Sequence, residues 1–149
     1  MDVNKLKSAL PNNTELVLGN VQDTIGPCIR SQLEAPVGFI SFDLDLYSST
    51  KSGLKIFHCE SEQVLSQVAL YFDDINHRFS HFKGGEQLVI REFNQGSEHI
   101  VIDKWHNIKN LIPFPESAWL DRFYLAHNLE SLANAASPKR VNVHALKDK

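Results

Sequence analysis

Four aspartates stand where two apolar segments of the chain end, and their spacing allows chemistry at a single place. Asp43 and Asp45 close the first segment, and Asp73 and Asp74 close the second. Side chains alternate along a strand, so Asp43 and Asp45 point to the same side, about 7 Å apart along the chain. Asp73 and Asp74 converge only if the backbone turns at the strand end. Carboxylates gathered at one edge repel each other unless they hold a cation, take up protons or accept hydrogen bonds.

Ligands that are all oxygen favour a hard cation such as Mg²⁺, Ca²⁺ or Mn²⁺, and Mg²⁺ keeps positions open for substrate oxygens. The alternative is structural. Asp73 or Asp74 would then cap a following helix, and Asp45 would simply be exposed to solvent. Residue spacing leaves both interpretations open.

The segments that must position these aspartates alternate between strand and helix patterns. The near-continuous apolar run at 37–46 is typical of a strand covered by helices on both faces. Further strands are predicted at 14–18, 68–72, 99–104 and 140–146. Helices are predicted at 3–10, from about 22, and at 51–58, 61–67, 86–94 and 115–132. The alternation predicts a single α/β domain over residues 1–149 with a mostly parallel, doubly wound sheet and flanking helices.

Composition excludes several classes of function. The 149 residues carry a net charge of −3 and no basic run, which gives no electrostatic reason to bind nucleic acid or an acidic membrane surface. No apolar run is long enough to span a bilayer, and the N-terminus lacks the apolar core of a signal peptide. Cys28 and Cys59 have no CxxC spacing and favour reduced thiols. We therefore expect a cytoplasmic protein.

The residues around the four aspartates resemble a known family. Segment 38–50 reads GFISFDLDLYSST, and segment 71–75 reads YFDDI. This pattern is similar to that of the macrocin O-methyltransferase-like family, whose members are class I S-adenosylmethionine-dependent methyltransferases with a Rossmann-like fold. The similarity runs from about residue 14 to the C-terminus and is strongest over 37–75.

The resemblance implies roles for the four aspartates. Asp43, Asp73 and Asp74 would bind a divalent cation, Mg²⁺ for example, that holds the hydroxyl group of a sugar or a phenol for methyl transfer. Asp45 would lie behind these ligands or act as the base. In such a site the metal orients the acceptor and lowers the pKa of its hydroxyl group.

The cofactor-binding half of the family fold is missing. That half contains a glycine-rich turn through which the backbone approaches the cofactor, but none of the seven glycines here forms a GxG. Gly19-Asn20 also replaces the Gly-Asp that the family often has. The chain thus resembles the third to seventh strands of a seven-stranded sheet, without the first two. We expect that it does not bind S-adenosylmethionine by itself, and whether it is an enzyme stays open.

The absence of the first two strands has a consequence for assembly. The predicted strand at 14–18 either pairs directly with the strand at 37–46, or a second subunit covers the exposed edge, because an open apolar edge invites pairing. We therefore predict a homodimer or another homo-oligomer. The alternative function is a non-enzymatic dimeric module that binds a metal, a small molecule or another protein.

Other residues suggest weaker candidates. His77 and His81 would share a helical face and could join an aspartate around Zn²⁺ or Fe²⁺ if their segment were helical, but exposed loop histidines are the simpler interpretation. His58 and Cys59 are adjacent without the signature that orients a catalytic pair. Four aromatic residues could form a pocket wall or pack in the core or an interface, namely Trp105, Trp119, Phe123 and Tyr124.

Overall fold

The computed structural model describes residues 2–31, 33 and 35–136, and its first elements are two helices. Helix α1 spans Val3–Ala9 and begins at Asp2, whose Oδ1 accepts the backbone N–H groups of Asn4 and Lys5. Helix α2 spans Val21–Ser31, as the apolar spacing predicts. Within the described residues, no helix combines the length and the apolarity that a bilayer crossing requires.

Residues 14–18, for which the sequence predicts a strand, form none. Val17 and Leu18 are 44% and 55% exposed. A strand exists through hydrogen bonds to a neighbouring strand, and none of the described strands lies beside this segment. The prediction is wrong because the segment has an apolar strand pattern but no strand with which to pair.

The sheet has four described strands in the order β1-β2-β4-β3. They are β1 (Val37–Phe42), β2 (Val64–Phe72), β3 (Ile100–Lys104) and β4 (Phe123–Asn128). Strands β1 and β2 run parallel, whereas β4 runs antiparallel to both of its neighbours. The α/β class is confirmed. The described sheet is mixed, with one parallel pair, because β4 follows β3 without a crossover α-helix and enters the sheet in the opposite direction.

Helices α3 (Tyr47–Gly53) and α4 (Gly85–Gly96) lie where the sequence predicts helices, and α3 continues as a 3₁₀ helix over Leu54–His58. Predicted helix 61–67 is wrong beyond its first turn, since only Ser61–Gln63 is helical before β2 begins.

Predicted helix 115–132 is largely wrong. It divides into a 3₁₀ helix (Ala118–Arg122), strand β4 and the start of α5 (Leu129–Ala136). Pairing with β2 and β3 determines the conformation of its middle part, and such long-range pairing overrides local preference. The strand predicted at 140–146 lies outside the described residues.

One face of the sheet is buried and carries the core. That core comprises Phe42, Val68, Leu70, Phe72, Ile100, Ile102 and Ala126 of the strands, with Leu54, Phe57, Val89 and Ile90 of the helical segments. Phe39 and Ser41 of β1 alternate with Phe42 and point to the opposite face, where Phe39 is 57% exposed. The expectation that helices cover this strand on both faces is therefore wrong for the described residues, because the core helices pack on the Phe42 side.

The two edges of the sheet differ. At the β3 edge, the Asn94 side chain donates to the Ile102 carbonyl and accepts its N–H, both at 2.8 Å. The Ile100 N–H donates to Ser97 Oγ at 3.2 Å. At the other edge, β1 is hydrogen-bonded only to β2 among the described strands. Side chains therefore satisfy three peptide groups at one edge, whereas no described strand pairs with the outer side of β1.

Candidate functional site

The ends of β1 and β2 meet at one edge of the sheet because the two strands are parallel and in register. Phe42 lies opposite Phe72, and their rings stack with centroids 4.7 Å apart. The Asp73 N–H then donates to the Phe42 carbonyl at 3.0 Å. Asp43 follows β1 directly, and Asp73 and Asp74 follow β2 directly. The prediction that the acidic residues end two neighbouring strands is confirmed.

Three of the four aspartates converge. One carboxylate oxygen from each of Asp43, Asp45 and Asp74 lies within 4.8 Å of the other two. Asp43 and Asp45 are exposed, and Asp74 is partly buried. Asp74 can face the other two because the chain turns after β2, with the His77 N–H donating to the Asp74 carbonyl at 2.9 Å. We call Asp43, Asp45 and Asp74 the acidic triad.

Asp73, predicted as a metal ligand, lies outside the acidic triad. Its Oδ1 accepts hydrogen bonds from Arg122 Nη1 and, at 3.0 Å, from the Tyr71 hydroxyl. Arg122 ends the 3₁₀ helix that precedes β4, so β4 brings this cation to the strand end. Asp73 is thereby neutralised, and Asp45, predicted to lie behind the ligands or to act as the base, holds the third position in the group.

The electrostatics of the acidic triad disfavour three free negative charges. Burial raises the pKa of Asp74. The Asp45 carboxyl, which lies within hydrogen-bonding reach, and the charge of Asp73 raise this pKa further, whereas His77 lowers it. Asp74 Oδ2 is buried and has no hydrogen-bond partner among the described residues. A buried oxygen without a partner is costly, so a cation or a proton at this position would stabilise the group.

Glu86 is a functional candidate that the sequence analysis missed. It lies in the first turn of α4 and is only 2% exposed, and neither carboxylate oxygen has a hydrogen-bond partner of good geometry among the described residues. Burial raises its pKa to about 8, with further contributions from the charges of Asp74, Asp73 and Asp43. The Asp74 N–H lies near enough to offset part of this rise. The helical spacing of Glu86 with Val89 and Ile90 was the available signal for burial.

Asp45, Asp74 and Glu86 line a cavity of about 410 Å³ together with His77 and Ser80. A cavity of this size adjoining the acidic triad can accommodate a small ligand.

The wall of this cavity is fixed by the start of α4. Gln87 Nε2 donates to the carbonyls of Ile75 and Ser80, at 3.0 and 3.1 Å. Gly85 has φ +60°, and a Cβ there would lie 2.7 Å from Ser80 Cα, so only glycine fits without strain. These contacts hold Glu86 beside the acidic triad.

The remaining candidates are not assembled into sites. Residues 77–83 form turns, so His77 and His81 do not share a helical face. The acidic triad is the only group of potential metal ligands found among the described residues.

His58 and Cys59 line a separate cleft of about 670 Å³ at the start of β2. Burial raises the pKa of the Cys59 thiol, which disfavours the reactive thiolate.

The four aromatic residues pack against one another and against the sheet. Trp105 and Trp119 contact the Phe123 ring with centroids 6.3 and 5.8 Å apart, and Tyr124 meets Phe72 edge-on at 5.5 Å. Packing, one of the two interpretations of these residues, therefore accounts for them.

No protein-family model, no characterised protein and no solved structure matches this chain.

The site itself fits a hard divalent cation. Its donors are three carboxylate groups, and the buried, unpartnered Oδ2 of Asp74 is an oxygen that a cation would satisfy.

Proposed function

We propose that this chain is the metal- and acceptor-binding half of a divalent-cation-dependent O-methyltransferase. The observation that carries the proposal is the convergence of three carboxylate oxygens within 4.8 Å at the carboxyl ends of two parallel, neighbouring strands. In α/β sheets this end of the strands is where ligands bind. The pairing of the acidic triad with an adjoining cavity of about 410 Å³ supports a cation and a small acceptor side by side.

The sheet order supports the same family. In the class I methyltransferase fold that the sequence resemblance implies, the last strand runs antiparallel and lies between the fifth and sixth strands. Here β4 runs antiparallel and lies between β2 and β3, while β1 and β2 are parallel. The four described strands would then correspond to the fourth to seventh strands of that fold.

The residues would divide the work as follows. Asp43, Asp45 and Asp74 would hold the cation, which supplies Lewis-acid activation of the acceptor hydroxyl group. Asp45, exposed beside the cavity, is our candidate to receive the hydroxyl proton as the acceptor oxygen takes the methyl group from the sulfonium sulfur of S-adenosylmethionine. The part that binds that cofactor would lie outside these 149 residues, which contain no GxG turn.

Titration calorimetry with Mg²⁺ tests the cation site directly. We expect binding by the wild-type protein and at least a tenfold loss in Asp43→Asn and Asp74→Asn, because each removes a charged ligand. Asp23→Asn, an exposed change in the first turn of α2, is the matched control and should bind normally. Equal binding by all four proteins, or none by the folded wild type, would refute the cation site. S-adenosylmethionine titrated into the isolated chain should give no heat.

One observation favours the second candidate function, a non-enzymatic dimeric binding module. The exposed edge belongs to β1, whose sequence VGFISF contains neither a charge nor a proline. Natural edge strands usually carry such features to prevent pairing. The edge also adjoins an apolar cavity of about 520 Å³ between α2 and β1, lined by Val21, Ile25, Leu33, Val37 and Ile40 among others.

A second copy of the chain is the occupant that we propose for this edge. Two β1 strands related by a two-fold axis would pair antiparallel and form a closed dimer with identical contributions from each subunit. Light scattering coupled to gel filtration should give a dimer for the wild type and a monomer for Phe39→Glu, which places a charge on the edge strand. Leu111→Glu, at a 67% exposed loop position, should remain dimeric. A monomeric wild type at high concentration would contradict this assembly.

A further inference from the structure

Glu86 is a buried carboxyl group for which the local structure supplies no partner. Its side chain is 2% exposed, and both of its oxygens lack a well-formed hydrogen bond within the described part of the chain. The charges that raise its pKa are those of acidic side chains, with Asp74 first. Because buried charges are normally paired or coordinate metals, Glu86 requires either a permanent proton or a positive charge nearby.

The position of Glu86 points towards the acidic triad. It lines the same cavity as Asp45 and Asp74, and Asp74 Oδ2 is buried without a partner as well. The buried Glu86 side chain, with two unsatisfied oxygens, therefore adjoins three converging carboxylates, one of which also has a buried oxygen without a partner. Glu86 lies outside the set of oxygens that are mutually within 4.8 Å. This arrangement fits a carboxylate that does not contact the ion directly but bonds a water molecule that the ion holds.

We propose that Glu86 is the fourth carboxylate of the cation site and holds a water molecule bound to the ion. The inference rests on the cation site of the proposed function but does not depend on methyl transfer. Groups that bind a metal through its ligands or waters commonly change its affinity 10- to 100-fold when mutated. A role for Glu86 would tie α4 to the strand ends, since the other ligands lie after β1 and β2.

The same ion would therefore bridge three elements. Asp43 and Asp45 follow β1, Asp74 lies in the turn after β2, and Glu86 lies in the first turn of α4. Between Asp74 and Glu86 the chain forms the loop that bounds the cavity. Cation binding would then order the wall of the acceptor cavity as well as the acidic triad.

Calorimetric titration of Mg²⁺ and of Ca²⁺ into wild type, Glu86→Gln and Glu98→Gln tests the proposal. Gln keeps the size of the side chain and removes the charge, and Glu98 is an exposed residue just beyond α4. We expect about tenfold weaker binding of both ions by Glu86→Gln and unchanged binding by Glu98→Gln. The thermal unfolding temperature without metal provides a second measurement, since a purely structural role for Glu86 would lower it in Glu86→Gln.

Each outcome decides between interpretations. Affinity within twofold of wild type in Glu86→Gln would overturn the role of Glu86 and leave the acidic triad as the whole site. Absence of binding to folded wild type would overturn the cation site together with this inference. If Glu86→Gln does not fold, Glu86→Asp keeps the charge and withdraws it by one methylene. We then expect a smaller loss of affinity, and unchanged affinity in that variant would overturn the proposal.

Discussion

Replacement of Glu86 by glutamine should stabilise the metal-free protein at alkaline pH. One pKa unit corresponds to about 1.4 kcal/mol, so the rise of the Glu86 pKa from 4.5 to about 8 sets an upper limit of roughly 5 kcal/mol. Effective screening in proteins is stronger than in a dry interior, even at buried positions. We therefore expect about half of that limit, roughly 2 to 3 kcal/mol.

The direction of the pH dependence follows from the two protonation states. Below about pH 4.5 the Glu86 carboxyl is protonated in both the folded and the unfolded chain and contributes nothing. Between that pH and about 8, the unfolded chain loses the proton while the folded chain keeps it, so the free energy of unfolding falls as pH rises. Above about pH 8 both states are ionised, and the full cost of the buried charge remains.

Urea denaturation with a chelator at pH 5 and at pH 8.5 measures this effect. Wild type and Glu86→Gln should differ little at pH 5, and the variant should be more stable by roughly 2 to 3 kcal/mol at pH 8.5. Other titrating groups are common to both proteins and largely cancel in the comparison. Glu116→Gln, at an exposed loop position, is the control and should follow wild type. A variant within about 0.5 kcal/mol of wild type at both pH values would refute the reasoning.

Three further predictions concern the surroundings of the site. Asn94→Ala should lower the free energy of unfolding by about 2 kcal/mol in urea denaturation, because it leaves the N–H and the carbonyl that it bonds on β3 without partners. Gly85→Ala should lower the free energy of unfolding by roughly 2 kcal/mol in the same assay, because the φ angle of Gly85 is +60°. Gly96→Ala is the control. It should be neutral or slightly stabilising, because nothing lies within 4 Å of the new Cβ. Arg122→Met should increase Mg²⁺ affinity about two- to fivefold at low salt by releasing Asp73; unchanged affinity would show that this charge does not reach the site.

Part of this structure follows from the sequence because local patterns and long-range contacts agree. The apolar run that begins at Val37 forms β1, and the run that ends at Phe72 forms β2. Parallel pairing of these strands brings Asp43 and Asp74 together, as the strand-end argument predicts. Helix α4 likewise forms where the apolar spacing indicates a helix.

The remainder depends on contacts that no local pattern specifies. Residues 14–18 have a strand pattern, but a strand also requires a neighbour, and the described chain provides none. Strand β4 lies inside a region with helical spacing, and its antiparallel insertion between β2 and β3 is a property of the whole sheet. Asp73 lies outside the acidic triad because it pairs with Arg122, which is about fifty residues away in the sequence. Glu86 lies on the same helical face as Val89 and Ile90, so the spacing indicates that it is buried. Its charge, by contrast, suggests an exposed position.

The difference between the two sheet edges limits how large an assembly can become. Filaments grow when every added subunit presents a fresh edge to the next one. Asn94 and Ser97 bond three peptide groups of β3, so among the described strands β1 has the more open edge. If two β1 strands pair as proposed, neither subunit would have a free edge among its described strands, and growth would stop at two copies. In that dimer, the side chains of Asn94 and Ser97 would make the difference between a finite complex and an indefinitely extending fibre.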